Sequence, residues 1–269
     1  MNKSISVGKI FGIQFRIHFS WFITFALVTF SLVYPYFTFA QFSPSQSQWQ
    51  YWVAAIVTSL LIFASVIVHE LAHSLVGKAN GVTTNNITLF IFGGVAEMAS
   101  EPSRPTSELK MAIAGPLSSL LLSGVFGLLW FLFFDSVFLV IDMLFRLVLI
   151  NLALAVFNLI PGFPLDGGRV FRSLLWRFSG NYCRSTRIAT RLGQAIGYLF
   201  ILGGGLLVLL RPVDLSWFDG LWLILIGWFL ARVASISYRQ IRWQEAMRQS
   251  SSLPLPIVHL DHLSASEET

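Results

Sequence analysis

Apolar residues cluster into six long stretches, at about 19–37, 51–76, 109–134, 137–160, 188–210 and 217–237, each separated from the next by a polar connector. Eighteen or more mostly apolar residues is the length a helix needs to cross about 30 Å of hydrocarbon, so the pattern predicts a polytopic α-helical membrane protein with six transmembrane helices. Two segments break the helical period. In the first, near 10–17, Ile13, Phe15 and Ile17 alternate with Gln14, Arg16 and His18, the period of a half-buried strand. The second, residues 82–98 (VTTNNITLFIFGGVAEM), is rich in β-branched and aromatic residues, and Gly93-Gly94 divides it into a strand, a turn or bulge, and a second short strand. Open strand edges in lipid leave backbone groups unpaired, so this small sheet is expected at the membrane interface or against a watery cavity.

Charge orients the spans. Lys3, Lys9 and Arg16 precede the first; Lys78, Arg104 and Lys110 lie between the second and third; six arginines from Arg169 to Arg191 separate the fourth from the fifth; Arg232, Arg239, Arg242 and Arg248 follow the sixth. Except for Arg211, the opposite connectors are poor in cations. The positive-inside rule therefore places both termini in the cytoplasm. This asymmetry accounts for the basic balance (pI near 9.7) without a nucleic-acid partner.

Composition agrees: 55% of the 269 residues are hydrophobic and 12% charged, with mean hydropathy +0.70, against about a quarter charged in soluble domains. One domain, 1–242, is expected to hold the spans, with 243–269 starting as an amphipathic helix end and becoming a flexible polar tail. The basic N-terminus lacks a small-residue cleavage site behind a short apolar core, so no cleaved signal peptide is expected. A single cysteine, Cys183, excludes an intramolecular disulfide and a thiolate metal module.

Against this apolar background, HELAH (69–73) stands out. His69 and His73, four apart on a helix, project from one face and can both reach one ion, while Glu70 leans toward the water between them, the arrangement that serves zinc hydrolysis. Ionisable groups at mid-span cost about 2.5–3.5 kcal/mol each on insertion scales, so solvation at a helix end is a poor explanation for them. A catalytic zinc needs a third ligand. Asp166 in FNLIPGFPLDGGRV suits that role: it lies at the end of an apolar span, on the same side as HELAH, among Pro161, Pro164, Gly167 and Gly168 that break the helix. The competing reading makes Asp166 a helix N-cap. Asp135 and Asp142 fall near the opposite face.

HELAH on the second span, FGGVAEM after it, AIAGPLSS (112–119) opening the third and NLIPGFPLDGGR (158–169) ending the fourth together resemble the site-2 protease family of intramembrane zinc metalloproteases, in its compact bacterial and archaeal form. The resemblance runs in order from about 10 to 240. It implies one Zn2+ per chain held by His69, His73 and Asp166, Glu70 as general base, and Asn158 contributing to substrate or oxyanion stabilisation. It also implies an edge at Phe92, Gly93 and Gly94 that binds substrate, with transmembrane proteins as substrates and the lipid bilayer as surroundings. His18, in the IHFSW start of the first span, is taken as structural; an interhelical hydrogen bond is the alternative role for Asn158. Neither the inserted peptide-binding domain nor the paired CBS modules of many members fits in the connectors or tail. A metal transporter using the same ligands is the competing class, but no second HELAH-like or PLDGG-like half exists to form paired repeats. A silent scaffold would have no need of Glu70.

Overall fold

A computed structural model describes residues 4–39, 47–91, 93–98, 102–135, 137–210 and 217–251. Among these, four strands and seven helices follow one another: β1 (Ser4–Ile10), β2 (Ile13–His18), α1 (Ser20–Phe39), α2 (Gln48–Ala79), β3 (Thr84–Phe90), β4 (Gly93–Met98), α3 (Pro105–Leu132), α4 (Phe138–Asn158), α5 (Asp166–Ser179), α6 (Tyr182–Leu210) and α7 (Trp217–Ser251). Five helices are long and apolar enough to cross a membrane: α2, α3, α4, α6 and the stretch Asp219–Arg239 of α7. In α1 the described apolar stretch, Ser20–Tyr34, is shorter.

Local chemistry sets several boundaries. Ser47 caps α2 in a capping box, its N–H donating to Gln50 Oε1 at 2.8 Å. Pro105 opens α3 with Glu108 in its first turn. Gly180, at φ 65°, ends α5 in the left-handed conformation that a residue without Cβ adopts freely.

The sheet has the order β1-β2-β3-β4. β1 and β2 form an antiparallel hairpin, as do β3 and β4, and a parallel pairing of β2 with β3 joins the two, Phe15 opposite Ile87. The alternation expected around Ile13 and Phe15 is present: both are buried with Ile87, against Ile67 and Leu71 of α2. Three expectations need correction. The strand expected near 10–17 is the second arm of a hairpin; β1 escaped notice because both its faces are exposed and its alternation marks no core. The glycines do not form the turn in 82–98: Gly93 and Gly94 already belong to β4. The segment after the fourth span is broken over 159–165, as expected from Pro161 and Pro164, but Gly167 and Gly168 belong to a separate amphipathic helix, α5. α7 runs through position 243 to Ser251, and the rest of the expected tail lies outside the described residues.

The helices pack in two ways. α6 and α7 approach backbone to backbone along Gly197, Gly204, Gly220 and Gly227. α3 is tied to α5 by charge, as Arg172 Nε donates to Glu108 Oε1 at 2.7 Å and its Nη2 reaches the same oxygen. Glu108 is fully buried, and the Arg172 guanidinium lies 5.4 Å from the Phe163 ring centre and 4.9 Å from that of Tyr182. Removing one partner of a buried pair leaves an uncompensated charge. Glu108→Ala should therefore destabilise the protein by about 3 kcal/mol or more, read as a lower midpoint in denaturant titration in detergent, whereas Lys110→Ala, an exposed change on the same turn, should leave the midpoint in place.

Candidate metal centre

α2 brings His69 and His73 to one face, as a spacing of four requires, with ring centres 4.8 Å apart. α5 delivers the third group. Leu165 holds the cap position of that helix, and the Asp166 carboxylate turns instead toward the histidines, which decides against the N-cap reading. Asp166 Oδ2 stands 3.1 Å from His69 Nε2 and 3.1 Å from His73 Nε2, and the two nitrogens are 3.2 Å apart. His69 and His73 are buried and Asp166 is nearly so. Asp142 takes no part; it accepts from Arg146 Nε at 2.5 Å on α4.

The far side of each ring is also engaged. His73 Nδ1–H donates to the Met111 carbonyl at 2.7 Å, so in the neutral ring Nε2 carries a lone pair. His69 Nδ1 lies 2.9 Å from Ser119 Oγ, a fully buried hydroxyl able to accept its proton. Two imine lone pairs and a carboxylate oxygen thus face one another at about van der Waals contact, an arrangement that repels itself unless a cation sits among them. Tetrahedral zinc with bonds of about 2.0–2.1 Å separates its ligand atoms by roughly 3.3 Å, close to the spacing found. The donor set and its second layer of hydrogen bonds fit a divalent metal of the zinc type.

Two glycines let other backbone segments approach. A Cβ on Gly115 of α3 would collide with His73 Nε2 and lie 2.7 Å from His69 Nε2; a Cβ on Gly94 of β4 would lie 2.6 Å from Glu70 Cγ. β4 therefore lies directly on the general-base candidate. The three metal-ligand candidates, Glu70, Gly94 and Asn158 share a cavity of about 230 Å³. The Asn158 side chain has no hydrogen-bond partner among the described residues. The interhelical bond considered for it belongs to Asn151 one helical segment earlier, whose Nδ2 donates to Ser65 Oγ at 3.2 Å. Phe92 lies outside the described residues. His18 Nδ1 is 2.8 Å from Ser20 Oγ at the β2–α1 junction.

The model of peptidase family M50 matches residues 57–138 and 135–203, a region that includes all the ligand candidates. The chain belongs to this family. M50 relatives extend the match. A Synechocystis sp. protein whose name marks it as a candidate zinc metalloprotease is 42% identical over 265 residues, covering 92% of this chain and 63% of its own length. A zinc metalloprotease of Methanocaldococcus jannaschii is 38% identical over 204 residues, covering 76% of this chain and 55% of that protein. The chain thus spans about three fifths of the length of these curated relatives. The solved structure of a site-2 protease from Methanocaldococcus jannaschii is 32% identical, with a TM-score of 0.56 over 87% of this chain and 95% of that one. The resemblance read from HELAH, AIAGPLSS and NLIPGFPLDGGR holds.

Spacing alone did not mark Met111, Gly115 and Ser119, which contact the histidines, or the Glu108–Arg172 pair that ties α3 to α5. AIAGPLSS carried a signal, since Gly115 and Ser119 are four apart on one face of α3, but its role was visible only as a family motif. Ser119→Ala should weaken zinc affinity about ten- to a hundredfold, the usual cost of losing a hydrogen bond behind a ligand. Gly115→Ala should weaken it more, because both imidazoles must move. Competition with a chromogenic chelator measures both.

Proposed function

We propose that this protein is an intramembrane zinc endopeptidase, hydrolysing peptide bonds of transmembrane protein substrates near the cytoplasmic leaflet, in the setting of regulated intramembrane proteolysis. The observation that carries the reading is the convergence of His69, His73 and Asp166 within 3.2 Å, with Glu70 beside them under an edge strand. The names of the M50 relatives support it. One Zn2+ per chain would be held by these three side chains. In this reading α1 is the sixth span, and the cations flanking α1, α2 and α7 support cytoplasmic termini in a cell membrane.

Bound zinc supplies Lewis acidity, lowering the pKa of water toward about 7 and polarising a carbonyl. The remaining work falls to the chain. Glu70 takes the proton of the attacking water and later delivers it to the leaving nitrogen. Asn158, a non-titrating dipole at the C-terminal end of α4, donates to the oxygen on which negative charge develops. A transmembrane substrate hides its amides in helical hydrogen bonds and must unwind before it can be cut. β4, which has a sheet neighbour on one side only among the described residues, offers the opened peptide a strand to pair with, and Gly93 and Gly94 allow its backbone to come close.

Glu70→Gln keeps the size of the side chain and removes the base. Zinc content measured by plasma emission should stay at one per chain, while cleavage of a single-span test substrate in detergent should fall by at least about a hundredfold. A variant that retained cleavage would refute the reading.

A further inference from the structure

Arg169 lies one turn beyond Asp166 on α5 and lines the same cavity as Glu70 and Asn158. It is the one lysine or arginine among the described residues that line it. The other inward arginine of this helix, Arg172, is consumed by Glu108, and Arg146 by Asp142. The half-buried guanidinium of Arg169 has no hydrogen-bond or ion-pair partner among the described residues. Glu70 and Asp166 both lie within its electrostatic reach, but neither hydrogen-bonds to it, and Asp166 Oδ2 is held between the histidine nitrogens. A guanidinium that lines a cavity with its N–H donors uncommitted is a forked, five-donor site matched to a carboxylate.

Resting on the protease reading above, we infer that Arg169 binds the carboxylate that peptide hydrolysis creates. Water adds to the carbonyl carbon and the C–N bond breaks. The acyl half leaves as R–COO−, with one oxygen from the carbonyl and one from water, and the amine half leaves as R′–NH3+. The new anion forms beside two protein carboxylates, and Arg169 is the side-chain cation positioned to compensate it.

The test compares binding of an apolar acetyl-tripeptide with a free C-terminal carboxylate, its C-terminal carboxamide, and a carboxamide carrying a glutamate side chain. Binding is measured by calorimetry on the zinc-loaded full chain. The wild type should prefer the acid. Arg169→Gln should reduce the acid-over-carboxamide ratio about tenfold or more, with zinc content and carboxamide affinity unchanged, and Arg169→Lys should retain part of the preference because the charge remains. A ratio unmoved by Arg169→Gln overturns the assignment, as does a loss confined to the glutamate peptide or a loss of zinc from both variants. Cleavage of the single-span substrate by the wild type is scored separately: its absence refutes the protease reading, whereas cleavage with an unmoved ratio refutes this inference alone.

Discussion

Everything around the site follows from one electrostatic problem, the approach of two imidazole lone pairs and a carboxylate oxygen to within 3.2 Å of each other inside an apolar bundle. Such a cluster holds its shape before a cation arrives only if each group is restrained from behind. α3 does this along a single stripe: Glu108 pairs with the helix that begins at Asp166, the Met111 carbonyl fixes the tautomer of His73, Gly115 makes room for both rings, and Ser119 bonds to His69. Their spacing of three, four and four keeps them on one face.

The membrane setting shapes the rest. Several buried polar side chains in the spans find partners across helices, as Thr29 Oγ1 does in donating to Ser59 Oγ at 2.9 Å and Asn151 does to Ser65. The sheet joins two hairpins through the β2–β3 pairing and leaves β4 as an edge, and it packs Ile13, Phe15 and Ile87 on α2 just where that helix carries HELAH. Strand and helix thus meet at Glu70. The site combines a helical pair of ligand candidates with a sheet edge.

What could be read in advance depended on the range of the interaction. HELAH was legible because its meaning is contained in one helical turn, and PGFPLDGG because helix breakers next to a carboxylate in an apolar span are costly without a purpose. The bond from His73 to Met111 joins residues 38 apart, and that from Arg172 to Glu108 joins residues 64 apart. Nothing in local spacing marks which carbonyl or which turn of another helix will be met. β1 escaped for a different reason: with both faces exposed it has no core to imprint a pattern. The glycines of FGGVAEM read as a turn or bulge and, through the family resemblance, as a substrate-binding edge; at Gly94 the missing Cβ makes room for Glu70.

The stripe on α3 also has a genetic meaning. Each residue added to a helix rotates everything beyond it by about 100°. A single-residue insertion or deletion between Glu108 and Ser119 would leave α3 just as apolar and just as able to span the bilayer, yet would swing Gly115 or Ser119 off the face that meets α2. Within those twelve positions a change in length displaces several contacts at once, where a change in side chain displaces one.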